Sequence, residues 1–119
     1  MNLEELFDYC MSIQGVEATF PFDEVTLVMK LMGKMVALIP LDADVKTISL
    51  KCDPERAAEL RERYSSVKAA FHMHKKYWNS IELLGDMPDE EIKRWIQHSI
   101  EEVIKKMPKK KQRDYYGKA

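Results

Sequence analysis

From Val25 to Ile39 the apolar residues fall on every second position, first Val25, Leu27, Met29 and Leu31, then Met35, Ala37 and Ile39, with Gly33 between the two sets. A period of two places alternate side chains on opposite faces of a strand, and a glycine inside such a run marks the reversal of a hairpin. An isolated hairpin is marginal in water, so this pair has to join a wider sheet with something covering its apolar face. The segments on either side have the helical period that can supply the cover.

Before the hairpin, Asn2 with Glu5 three residues on forms a capping box, Leu3, Leu6, Phe7, Cys10 and Ile13 recur at helical spacing, and Gly15 supplies a stop. A helix is predicted over 3–13. Residues 15–23 read as a connection, with Pro21 breaking regularity and Phe20 and Phe22 pinning it to the core. Pro40 ends the second strand because it cannot donate to a ladder. A third strand spans 47–52. Asp53-Pro54 then opens a helix to about Tyr64, with an N-cap carboxylate and a proline at the first helical position, and Ala57, Leu60 and Tyr64 facing inward.

Residues 67–84 keep apolar side chains in odd register except at Lys75, and eighteen residues are too many for one ordinary strand. The reading is two short strands with a turn at His74–Lys76. Pro88 and the acids Asp89, Glu90 and Glu91 open the longest helix, whose inner stripe is Ile92, Trp95, Ile96, Ser99, Val103 and Met107; Lys105 and Lys106 complement its far end, and Pro108 stops it. The order α-β-β-β-α-β-β-α predicts an α+β fold of two layers, an antiparallel sheet with helices on one face. Residues 1–108 form one domain in this reading, and 109–119 a basic, flexible C-terminal tail.

The 119 residues suffice for one core, and with 45% hydrophobic and 33% charged residues the composition is that of an ordinary folded domain. No apolar run reaches the roughly 18 to 20 residues of a membrane-spanning helix. The N-terminus has Glu4 and Glu5 where an export signal needs cations, so the expected location is cytoplasmic, with no membrane contact. Cys10 and Cys52 lack a Cys-x-x-Cys spacing and are expected to be buried reduced thiols.

Recognition chemistry concentrates in Phe71-His72-Met73-His74-Lys75-Lys76-Tyr77-Trp78-Asn79, where cations stand beside aromatic rings. Residues 1–64 carry 12 acids and 7 bases, whereas 65–119 carry 8 acids and 12 bases, so a net charge of −1 conceals a basic second half that suits an anionic partner. Lys75 and Lys76 fit either a solvated turn or phosphate contacts, with Lys34 and Lys51 extending the patch. Tryptophan is costly to leave wet, so Trp78 fits edge packing more readily than base stacking, and Trp95 belongs to the core. His72 and His74 would project on one side of a strand but lack a local third ligand, so neither a metal nor a cofactor is expected. Ser99 and His98, adjacent on a helix, point about 100° apart and form no dyad, and no nucleophile or phosphate-loop motif occurs; the chain is read as no enzyme.

Several segments together resemble the MmcQ/YjbR family of small bacterial proteins: Gly15-Val16-Glu17 with Pro21-Phe22, Gly33-Lys34-Met35-Val36-Ala37-Leu38, Ile48 to Ala57, Phe71 to Trp78, and His98-Ser99 with Val103 and Pro108-Lys109-Lys110. The chain departs from that pattern at His74, Tyr77 and Ile100, where asparagine, histidine and tyrosine are usual. The resemblance implies a two-layer fold like that of secretion chaperones, and DNA binding through hairpins likened to a double wing. The contact residues expected on that basis are Lys34, Lys51, His72, His74, Lys75, Lys76 and Trp78, with the basic tail assisting. The competing expectation is a protein-interaction module in which the open sheet face around His72, Trp78 and Ser80 receives a peptide or a second copy, the chain itself being a monomer or weak dimer.

Overall fold

The computed structural model describes residues 1–71 and 73–117; His72, Lys118 and Ala119 lie outside the described residues. Six strands form one antiparallel sheet in the order β1-β2-β3-β4-β6-β5, where β1 is Val16–Thr19, β2 Thr26–Leu31, β3 Lys34–Pro40, β4 Thr47–Lys51, β5 Val67–Ala69 and β6 Trp78–Glu82. Helices α1 (Leu3–Met11), α2 (Pro54–Arg63) and α3 (Asp89–Ile104) share one apolar core with one face of the sheet. The expected order holds, and two elements add to it. Residues 15–23, read as a connection, contain the edge strand β1, and residues 109–117, read as a flexible tail, form helix α4 (Lys109–Gly117).

Cross-strand register explains the layering. Ala18, Met29, Ala37, Leu50, Asn79 and Ala69 stand side by side across the strands on the helix-covered face. The next rung, Thr19, Val28, Leu38, Ser49, Ser80 and Lys68, crosses the other face. Between β2 and β3 the loop is only Met32-Gly33, with φ of 48° and 79°. Two successive positive φ angles are those of a type I′ turn, whose twist matches the strands it joins.

The hairpin is not regular along its length. Its register shifts between Met29 and Lys30, so that β3 has one residue more than its partner at Val36. Such a bulge reverses which side chains face the core beyond it. Val36 and Ala37 are consequently both buried, and Met35, assigned by alternation to the inner face, turns to the sheet's end. Ser99 Oγ donates a hydrogen bond to the Val36 carbonyl at 2.6 Å and accepts one from the Lys51 backbone N–H at 3.1 Å. Val36 and Lys51 would form the next rung after the Ala37–Leu50 pair. Ser99 therefore stands in for a missing β3–β4 rung and fastens α3 to both strands.

The second helix begins as its sequence specifies. Asp53 accepts from the Arg56 N–H, and proline follows at the first turn. The Asp53 N–H donates to Nε2 of His98 on α3 at 3.1 Å, which requires a neutral imidazole at that nitrogen. Burial, helped by Arg56 and only partly offset by Glu102, holds the His98 pKa below its ordinary 6.5. Asn79 ties the same helix to the sheet, donating to the Ala57 carbonyl and accepting from Arg61. The final helix, α4, is anchored by Tyr115: its hydroxyl donates to the Gln14 carbonyl at 2.9 Å, and Gln14 Nε2 donates to the Tyr115 carbonyl at 2.9 Å. Nine residues are marginal as an isolated helix, so tertiary anchoring supplies what local propensity lacks.

Ser99→Ala leaves the buried Val36 carbonyl and the part-buried Lys51 N–H without their partner and is expected to cost about 2 kcal/mol, seen in urea unfolding as a lower midpoint at unchanged slope. His98 gives a pH signature. Its native pKa lies below the unfolded value, so between the two the unfolded chain binds more protons; the contribution to stability is complete above pH 6.5 and declines as pH falls through the native pKa. In melting curves taken from about pH 8 to pH 5, His98→Gln is expected to narrow its stability deficit against the parent chain as the solution is acidified.

Candidate functional site

The hairpin turn, the end of β4, the start of β6 and the α3–α4 junction meet at one end of the sheet. There they enclose a cleft of about 510 Å³ whose rim carries Lys34, Lys51, Lys106 and Lys111. Its floor is apolar, built from Met32, Met35, Trp78 and Met107 among others, and among the described residues no carboxylate lines it. The residues come from separate parts of the chain for identifiable reasons. The type I′ turn projects Lys34, the bulge delivers Met35, the Ser99 bridge fixes the Lys51 backbone, and α4, held at its far end by Tyr115, presents Lys111.

Charge is concentrated here because, among the described residues, the cleft lining holds four lysines and no acid. Among the described residues none of the four lysines is ion-paired, whereas Lys105, one residue from Lys106, is bound to Glu102 at 2.7 Å and its pKa is raised mainly by that hydrogen bond. Four ammonium groups around a concave surface focus a positive potential that an exposed, scattered set would not produce. Trp78 is 8% exposed, so it is packed into the floor of the cleft and is not an open stacking platform.

The anticipated contact residues divide into groups. Lys34, Lys51 and Trp78 are brought together in the cleft. His74, Lys75 and Lys76 lie on the turn leading into β6, exposed, with Nδ1 of His74 accepting the Lys76 N–H and the Lys76 ammonium 5.7 Å from the Tyr77 ring centroid. This turn is joined to the cleft through Trp78, whose N–H donates to the His74 carbonyl. His72 falls outside the described residues. Lys106 and Lys111 belong to the basic run noticed in the sequence, but Met35 was assigned to the wrong face, since alternation has no means of registering a bulge.

Other reactive side chains are engaged in structure. Ser99 is fully buried with its hydroxyl in two hydrogen bonds, and His98 caps α2. Burial pushes the Cys10 thiol up to about 12, and burial together with Asp53 and Glu102 does the same for Cys52. Both are therefore protonated and poor nucleophiles at neutral pH. Among the described residues, no three His, Cys, Asp or Glu side chains are placed to hold one metal ion, and no helix is long and apolar enough to cross a membrane.

Comparison with known proteins places this fold in a family. A crystal structure of the Deinococcus radiodurans protein DR2400 superposes with a TM-score of 0.89 at 32% identity, covering 96% of this chain and 87% of that one. A Pseudomonas syringae protein of known crystal structure gives a TM-score of 0.73 at 26% identity, covering 83% of this chain and 96% of its own. Among curated sequences, Escherichia coli K12 "Uncharacterized protein YjbR" is 28% identical over 113 residues, 95% of this chain and 96% of the relative. The YjbR family model matches residues 11–101, which include every strand and most of α3. On that match, and with the same fold in its relatives, the chain belongs to the YjbR family.

Proposed function

We propose that the chain is a non-enzymatic DNA-binding protein that holds the phosphate backbone with the lysines gathered at one end of its sheet. The observation that carries this reading is the convergence of Lys34, Lys51, Lys106 and Lys111 on one cleft without a carboxylate among them. Ammonium groups are strongly hydrated point charges suited to phosphate oxygens, and Lys75 and Lys76 on the adjoining turn extend the contact outward. No arginine lines the cleft. Bidentate arginine is the commonest reader of guanine, so the binding expected here is electrostatic and weakly selective for sequence. In this reading the chain binds and does not transform its partner, in keeping with thiols, serine and histidine already committed to packing and capping.

The competing reading, protein recognition on the open sheet face, has less support. The row crossing that face ends in Thr19 and Lys68 and contains Ser49 and Ser80, with only Val28 and Leu38 apolar. Along this row the face offers little apolar area to an incoming peptide.

Fluorescence anisotropy with labelled duplexes of about 20 base pairs, titrated between about 50 and 200 mM salt, tests the proposal. Affinity is expected to fall along a log-log line with a slope of about 0.9 for each phosphate neutralised. Lys34→Glu with Lys106→Glu should weaken binding by about tenfold or more and flatten the slope by about 2. Equal affinity and slope in the parent and the double variant would remove the cleft as the contact; a salt-insensitive interaction would remove the phosphate mechanism.

A further inference from the structure

The opposite end of the sheet carries a second surface of contrary character. The β2–β3 ladder runs from Leu31–Lys34 at the lysine cleft to Leu27–Ile39 and Thr26–Pro40 at the far end. At that far end, between α1 and the edge strand β1, a groove of about 400 Å³ is lined by Leu3, Phe7, Phe20, Leu27 and Leu41 among others, with Glu4 the one charged residue among the described residues that line it. Phe7 and Phe20 remain 39% and 50% exposed, and Phe22 and Val25 beside them are also exposed. Aromatic side chains left wet around a concave surface are the usual mark of an interaction site.

Charge and the backbone specify the occupant. Residues 1–29 contain Glu4, Glu5, Asp8, Glu17, Asp23 and Glu24 and no lysine or arginine; Lys30 stands opposite Glu17 in the β1–β2 ladder and Lys46 Nζ is held by the Leu41 and Ala43 carbonyls, so acids outnumber bases around the groove. Asp23 fixes the loop that carries Phe20 and Phe22, accepting from the Val25 and Thr26 N–H groups at 3.0 and 2.7 Å. Strand β1 is paired only with β2, and its outer edge has no strand neighbour among the described residues. Ala18 and Phe20, two apart, both line the groove. A strand added outside β1 would therefore continue the same pleat and place every second side chain toward the groove.

We infer that the α1–β1 groove binds a basic amphipathic segment of a partner protein, added in extended form to the edge of β1. Its alternate apolar side chains enter between Phe7 and Phe20, and its lysines or arginines, on the other face of the added strand, are directed to Glu17 and Glu24. This site is independent of the lysine cleft and of whether that cleft holds DNA.

The test uses the full chain and a labelled peptide of about ten residues with leucine at every second position and lysine between. Three controls accompany it: the same peptide with glutamate for lysine, one with the backbone nitrogens N-methylated, and the Lys34→Glu, Lys106→Glu protein. The lysine peptide is expected to bind saturably, each altered peptide about tenfold or more weaker, and the lysine-cleft variant to bind as the parent does. Phe7→Ser with Phe20→Ser, and separately Glu17→Lys with Glu24→Lys, should each reduce affinity by about tenfold while circular dichroism and melting remain those of the parent. Equal binding of the lysine and glutamate peptides, or undiminished binding to the phenylalanine variant, would overturn the site. Undiminished binding of the methylated peptide would overturn strand addition, and a concentration-dependent dimer in sedimentation that disappears in the phenylalanine variant would assign the groove to a second copy.

Discussion

The hydroxyl of Ser99 is the point at which the two layers become one structure. A helix lying on a sheet is normally held by apolar contact, which tolerates sliding; a side-chain oxygen inserted into a strand ladder does not. Because Ser99 gives its proton to Val36 and accepts that of Lys51, the position of α3 along the sheet, the separation of β3 from β4 and the direction of the Lys51 backbone are set together. Both strands would satisfy each other if they closed in the ordinary way, but then the sheet would have no opening at this end. Inserting the hydroxyl spreads the strands without leaving a buried donor or acceptor unmatched, which is what makes the opening tolerable energetically.

The bulge at Val36 and the Ser99 bridge are two parts of one arrangement. The extra residue in β3 breaks strict alternation, and the carbonyl of that residue is the one Ser99 takes. Beyond the bulge Met35 turns away from the core toward the cleft, and the tight Met32-Gly33 turn carries Lys34 past the edge of the neighbouring strand. Helix α4 closes the arrangement from outside. Its lysines repel one another and its apolar content is slight, so its fixed position depends on Tyr115 gripping the loop after α1.

These dependences mark the limit of what the sequence discloses. The hairpin, the Asp53-Pro54 helix start and the inner stripe of α3 are legible because each leaves a periodic or capping signal that local physics enforces. Strand β1 leaves none: of Val16, Glu17, Ala18 and Thr19 only the valine is buried, so an edge strand looks like a loop. Helix α4 is equally silent, since its long-range anchor, Tyr115, acts through a residue 101 positions away. For the site, the lysines could be noticed individually and Trp78 suspected, but their convergence with Met35 depends on a one-residue change of register whose only trace is two consecutive small apolar residues, Val36 and Ala37.

A net charge of −1 would ordinarily argue against a polyanion as partner, and the geometry removes that objection. The acid-rich α1–β1 end and the lysine cleft are separated by the length of the β2–β3 hairpin, about 20 Å for strands of this size. At physiological salt the screening length is only about 8 Å, so carboxylates at one end contribute little to the potential at the other. Each end acts nearly alone, one as a local cation and one as a local anion. Were the proposed phosphate contact made, the separation would also favour approach of a polyanion at the lysine end and leave the acidic groove facing away from it. A chain of this size can in this way present two surfaces of opposite charge without the two neutralising each other, provided that the sheet between them is rigid; the Ser99 bridge and the bulge beside it supply that rigidity at the lysine end.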